Sequence, residues 1–461
     1  MTERERRGYR NPVIPGFHPD PSVCRAGDAY YLAASSFTYF PGVPIFRSLD
    51  LVDWVQIGNV LERPAQLDLS GSRASPSFGV FAPTLRHHAG RFWMITTNFG
   101  EKGAWNFFVT ARDPAGPWSD PVRVKIAGID PDLAWDGAGR CWVHFSRGVD
   151  VARCRIDDTT GEVLDGPART WSGTGLQYPE APHVFERAGT WYLLIAEGGT
   201  ERGHAVSIAR GPSPEGPWEG CPANPIKSHR STNRPIQSTG HADLVEATDG
   251  SWWMVLLGIR PRGVTPGFHV LGRETFLAPV EWVDGWPTVG EIALEMECRP
   301  PGPEASDDAS ARDDFDAASL HPRWIAVRRP PAELASLAER PGWLTLHGGE
   351  AALDAPEPVF VGRRQQHLRC RTRVKLEVGR EGEAGLAVRM DGASYYAVAA
   401  AGERVVARAR IGPLAAVVGE APRPAGAIVL GIEMVAHPHG PDGVRLFVED
   451  VSGSAHVLAE L

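Results

Sequence analysis

Residues 180–196, EAPHVFERAGTWYLLIA, decide how the chain is read. A glutamate opens the stretch, a short run with apolar residues follows, a Gly marks a turn, and an aromatic-rich apolar run closes it. That order is a hairpin of strand, Gly-containing turn and strand. Four other stretches can be laid over it: DPSVCRAGDAYYLAASS (20–36), APTLRHHAGRFWMITTN (82–98), DPDLAWDGAGRCWVHFS (130–146) and HADLVEATDGSWWMVLL (241–257). Each opens with a key residue followed by Pro or Ala, and the starts recur roughly every 50 to 60 residues. That period accommodates about four short strands, and helical periodicity is scarce. The expectation is an all-β fold whose first domain is a five-bladed β-propeller.

In a propeller the innermost strands line a central channel, so equivalent repeat positions converge at one end. The converging set is Asp20, Ala82, Asp130, Glu180 and His241. Carboxylates crowded into one pocket raise one another's pKa, a cost that a fold seldom carries for stability alone. Taken singly, an Asp before Pro is a turn residue, a lone Glu a solvated group and a lone His a structural one. The Tyr-Tyr, Phe-Trp, Trp-Tyr and Trp-Trp pairs read as packing between blades rather than sugar platforms. The shared register is what selects Asp20, Asp130 and Glu180 as catalytic candidates; Asp132 and Asp136 fall out of it. Glycosidic hydrolysis suits such a set. One carboxylic acid protonates the leaving oxygen, an ionised carboxylate activates water or attacks, and a third acidic group tunes the acid.

At 461 residues the chain exceeds one hydrophobic core. Its 43% hydrophobic and 22% charged residues are ordinary for a globular protein, and the net charge of −9 argues against nucleic acid or an anionic membrane as partner. No apolar run approaches membrane-spanning length, and MTERERRGYRNP lacks an apolar signal core. Six cysteines (24, 141, 154, 221, 298, 370) form no C-x-x-C pair, and no N-x-[ST] sequon is present, so a reduced cytoplasmic protein is expected. There is no G-x-S-x-G, G-x-x-x-x-G-K-[ST] or H-E-x-x-H motif. AEGGTERGHAV reads as a loop within the fourth repeat, and His87 and His88 are poorly spaced for joint metal ligation.

The stretches NPVIPGFHPDPSVCRAGDAYYLAASSFTYFPGVPIFRSLDLVDWVQIGNVL, APTLRHHAGRFWMITTN, YPEAPHVFERAGTWYLLIAEGGTERGHAVSIARG and GHADLVEATDGSWWMVLLGIRP, with LGRETFLAPVEWVDGWP, resemble glycoside hydrolase family 43. This is a family of β-xylosidases and α-L-arabinofuranosidases on a five-bladed propeller. The resemblance implies Asp20 as general base, Asp130 as pKa modulator and Glu180 as general acid. It implies an inverting mechanism, for which acid and base stand ~6.5–9.5 Å apart. It also implies that Arg273 reaches substrate hydroxyls, that Phe37 lines the sugar pocket, and that His241 is central, in some relatives beside a calcium ion. No cofactor is required, and the sequence around His241 supplies no oxygen-rich cage of its own. Phe81 in FAPT stands where the family often has Trp, which leaves more room beside the sugar.

A Pro-, Ser- and Asp-rich stretch around 297–314 reads as a linker. The domains are expected at 1–298 (propeller), 299–313 (linker) and 314–461, an antiparallel β-sandwich. Through DDFDAASLHPRW and VGRRQQH the last resembles the lectin-like sandwich of related β-xylosidases, which can lend an aromatic to the active-site rim. No such aromatic is found near HVLAEL, and the domain is shorter than the resemblance implies: either the sandwich is cut short or its last strands come from elsewhere. The expected function is an exo-acting inverting β-xylosidase on pentose oligosaccharides. The alternatives are α-L-arabinofuranosidase, dual activity, or a carbohydrate-binding protein without catalysis. Self-association is left open.

Overall fold

Successive side chains of a strand face opposite sides, and the paired aromatics of the repeats use this. Phe92 packs with Leu85, Val43 and Val60, whereas its neighbour Trp93 packs with Phe108, Leu133 and Val143. Tyr30 and Tyr31, Trp191 and Tyr192, and Trp252 and Trp253 divide between clusters in the same way. Each repeat is therefore apolar on both faces and finds cover only between two others. Full burial of one such side chain stabilises by ~1.5–3 kcal/mol.

The computed structural model describes residues 8–461 except 70–77, 101–102, 264, 266, 304–310, 438–439 and 451. Among them the chain is all-β, with one single-turn helix, Pro331–Leu334. The repeats form five antiparallel sheets, numbered I to V, whose first strands are Ser22–Ala26, Thr84–His88, Ile129–Trp135, Glu180–Arg187 and Gln237–Glu246. Each sheet follows the chain outward through four strands, and Gly79–Val80 adds a short fifth to sheet II. The first strands neighbour one another in order, and that of sheet V lies against that of sheet I, so the ring closes. Five buried apolar clusters fill the gaps between consecutive sheets.

The N-terminal segment fastens the closure. Asn11 donates to the Leu277 carbonyl (3.0 Å) and accepts from the Leu277 amide (2.9 Å), and Tyr9–Arg10 pairs with Glu295–Met296. The chain is thus stitched to sheet V before it enters sheet I.

Beyond residue 370 two four-stranded sheets share one core. The first holds Arg371–Leu376, Ile428–Val435, Gly443–Glu449 and Ala455–Glu460, and the second runs in order through Glu383–Asp391, Ser394–Ala401, Arg404–Ile411 and Leu414–Pro422. Val398, Val405, Leu430 and Leu446 lie buried between them. A small three-stranded sheet ties this unit to the ring: Ile325–Val327 pairs with Tyr39–Phe40 on one side and Val361–Gly362 on the other. Residues 304–310 of the expected linker lie outside the described residues.

Candidate active site

An unusual backbone recurs at or next to the opening residue of four repeats. Asp20, Asp130, Ala181 and His241 have φ of 58°, 53°, 52° and 45°. Non-glycine residues seldom occupy this left-handed region, and each costs about 1–3 kcal/mol. In sheets III, IV and V the strand pairing slips at these residues, as at a β-bulge. A bulge turns a side chain out of the ladder's alternation, and here Asp130, Glu180 and His241 line one cavity. Asp20 precedes its strand, in a loop held where the Ser35 amide donates to the Pro19 carbonyl (3.1 Å) and the Thr275 hydroxyl to that of His18 (2.8 Å).

Asp20, Asp130, Glu180, His241, Arg273, Phe37 and Phe81 all line one cavity. Asp20 is 4% exposed; its Oδ2 accepts from the Ser35 hydroxyl at 2.5 Å and its Oδ1 from Arg273 Nη1 at 3.1 Å. His241 Nδ1 lies 3.6 Å from Oδ1. Burial pushes this carboxyl up, but Arg273, His241 and Ser35 together hold it below the usual carboxylate range. Asp130 is the opposite case. Burial first, then the neighbouring Glu180 and Asp20, raise it well above that range, against the Ala181 amide that donates to its Oδ2 (3.3 Å). Glu180 is the more open member of this pair, its side chain 20% exposed. Burial pushes the His241 imidazole down to about 4, so it is neutral near pH 7.

The aromatic wall is continuous. Phe37 stacks on Phe17 (centroids 5.7 Å apart) and leans on Phe81 (5.7 Å), which stacks on Phe99 (5.2 Å). Arg273 lies over Phe17 and Phe37 and also donates to Thr200 Oγ1 (3.1 Å). The second unit reaches the same cavity through VGRRQQH. A Cβ at Gly16 would stand 2.5 Å from the Gln365 carbonyl, so this glycine admits the segment. Arg364 then lies over the rings of Phe17 and Tyr39, its guanidinium pushed down to about 10 by burial.

One layer beneath lies a polar hub to which every sheet of the ring contributes. Arg86 of sheet II pairs with Asp132 of sheet III (2.7 Å) and Asp243 of sheet V (3.0 Å) and contacts His183 Nδ1 of sheet IV (3.0 Å). Ser22 of sheet I donates to Asp243 Oδ2 (2.9 Å). Asp132 thus serves the ring rather than the sugar pocket, and Asp136 closes a hairpin with Arg140 and Trp142.

Repeat reading did not single out Phe17, Thr200, His204, Arg364 or the hub. Ser22, Asp132 and Asp243 do share a register, two residues after Asp20, Asp130 and His241. A second alignment column would have exposed them.

Among the described residues no group of three or more His, Cys, Asp or Glu is placed to hold a metal ion. The donors near His241 do not fit calcium, which takes six to eight oxygens: Asp20 is engaged by Ser35 and Arg273.

Two buried carboxyls pushed in opposite directions within one aromatic-walled cavity are the equipment of a glycosidase, and residues 9–287 match the family model for glycosyl hydrolases family 43. The chain belongs to that family. Residues 312–437 match the beta-xylosidase C-terminal concanavalin A-like domain. The chain is 42% identical over 402 residues to the non-reducing end α-L-arabinofuranosidase BoGH43B of Bacteroides ovatus, covering 85% of this chain and 75% of that one. It is 43% identical over 380 residues to a xylosidase/arabinosidase of Butyrivibrio fibrisolvens, covering 77% and 72%. The solved xylan β-1,4-xylosidase of Bacillus halodurans superposes with a TM-score of 0.90 at 32% identity, over 98% of this chain and 92% of that one. In family 43 terms, the chain carries a catalytic unit and its companion sandwich.

Proposed function

We propose that the protein is an exo-acting, inverting glycoside hydrolase that releases terminal β-D-xylose from xylo-oligosaccharides, with α-L-arabinofuranosidase activity at the same pocket as the alternative. The observation that carries this reading is the opposed pair of environments: Asp20 held ionised by Arg273, Asp130 held protonated by burial and its neighbours. Asp20 takes a proton from a water, whose oxygen bonds to the anomeric carbon. As the bond to the leaving oxygen breaks, Glu180, the more open carboxyl beside Asp130, passes a proton to that oxygen. Asp130 keeps a proton available to the pair. Arg273 orients Asp20 and turns its remaining donors to substrate hydroxyls, while Phe37 and Phe81 form the wall beside the ring.

The substrate class rests on the relatives, whose names span arabinofuranosidase, xylosidase/arabinosidase and β-xylosidase. We also read the five sheets as the blades of a five-bladed propeller (1–298), followed by a linker (299–313) and a sandwich (314–461). The six unpaired cysteines support a reducing, cytoplasmic setting. Purified protein assayed on nitrophenyl β-xyloside and nitrophenyl α-arabinofuranoside tests the sugar. Turnover of neither, with sugar still bound, would sink the enzymatic reading. NMR of the first-formed anomer tests inversion: release of the β-anomer of xylose would overturn it.

A further inference from the structure

His204 precedes strand Ala205–Gly211 of sheet IV and is 1% exposed. Its Nδ1 lies 3.2 Å from the Ser238 carbonyl oxygen. A carbonyl can only accept, so Nδ1 carries the hydrogen, and in the neutral ring Nε2 carries the lone pair. That Nε2 is buried without a hydrogen-bond partner, and the atom it faces is Glu180 Oε1, 3.7 Å away. An orphaned buried nitrogen costs stability and calls for an explanation.

The ring is held there by its surroundings. A Cβ at Gly240 would lie 2.4 Å from the imidazole, so the glycine before His241 makes the space. The Ser228 hydroxyl fixes the His204 carbonyl at 2.8 Å. Ser238 sits at the same bulge with φ of 54°.

We propose that His204 is a positioning residue for the general acid: its Nε2 lone pair accepts a hydrogen bond from the protonated carboxyl of Glu180, selecting the form and rotamer that can protonate a leaving group. The inference rests on Glu180 being that acid. At 3.7 Å the contact is longer than a formed hydrogen bond, and catalytic hydrogen bonds commonly tighten only when substrate is bound. A lone pair favours the protonated carboxyl, whereas an imidazolium would favour the carboxylate and oppose the reaction. The other titratable groups facing this pair are Asp130 of sheet III, Asp20 and His241, with His183 and Arg273 behind them.

Two variants test it. His204→Asn sets its amide nitrogen at the Nδ1 position, keeping the bond to Ser238 with nothing at Nε2; His204→Gln returns an amide oxygen to the Nε2 position. The expected result for His204→Asn is a fall of about 10- to 100-fold in kcat/KM on xylobiose, with less than about threefold change on dinitrophenyl β-xyloside, whose leaving group needs little protonation. The basic limb of the kcat/KM profile should move to lower pH, and His204→Gln should recover most of both. Equal losses on the two substrates, or a basic limb that stays or moves upward, would overturn the proposal. Glu180→Gln serves as the reference. If it also depresses both substrates equally, the general-acid reading has failed; if it alone splits them, only the role of His204 has.

Discussion

Arg273 and Asp20 stand 253 residues apart in sequence and 3.1 Å apart in space, and the guanidinium keeps the buried carboxyl ionised. Removing the cation removes the largest influence opposing burial, so Asp20 should titrate higher. Its basic form is then lost at a higher pH as the solution is acidified. Arg273→Gln is therefore expected to move the acid limb of the kcat/KM profile upward and to lower kcat/KM by roughly 10²-fold or more, since orientation of the base is lost as well. An unmoved acid limb would separate Arg273 from the ionisation of Asp20.

Asp130 carries the opposite consequence for stability. Its folded-state pKa is raised, so below the unfolded value both states are protonated. As pH rises from there toward the folded value, the unfolded chain ionises first and the fold loses stability. Asn never meets this penalty and can still accept from the Ala181 amide. Asp130→Asn should therefore be more stable than the parent at pH 7 by about 0.5–2 kcal/mol, nearly equal to it at pH 4, and catalytically crippled. Urea unfolding at the two pH values measures the difference, and a less stable variant at pH 7 contradicts the assignment.

Arg86 is the common partner of two buried carboxylates in the hub. Arg86→Met should destabilise by about 3–5 kcal/mol, because Asp132 and Asp243 are left buried and unpaired. Replacing both by Asn in the same chain should recover part of the loss, which chemical denaturation can read. A neutral effect of Arg86→Met would mean that water reaches the channel.

Arg364 comes from the second unit yet lies over Phe17 in the sugar wall. Arg364→Ala should release that ring and raise KM about 3- to 30-fold with a smaller effect on kcat, the range expected for a partly desolvated cation–π contact. Steady-state kinetics on xylobiose would show it.

Much of this was legible in sequence because repetition turns sequence distance into geometry. One column of the repeats held Asp20, Asp130, Glu180 and His241, and the structure brings these into one cavity with Arg273, Phe37 and Phe81. The aromatic pairs, read as packing, do fill the gaps between sheets. What escaped reading depends on contacts that no period encodes. His204 is set by a bulge and a neighbouring glycine, and Arg364 by a segment arriving from beyond residue 360. Hydrophobic alternation also gives no sign of a left-handed residue, so the bulges of sheets III, IV and V had no signal of their own.

The hub has one more consequence, for assembly. Arg86 is coordinated like a metal centre with one ligand from each repeat, so the ring has a fixed coordination number. Duplicating or deleting a repeat would leave a ligand over or a position vacant, which constrains how such a chain can lengthen. Asp243 belongs to the fifth repeat, so the centre is complete only in a chain that holds all five.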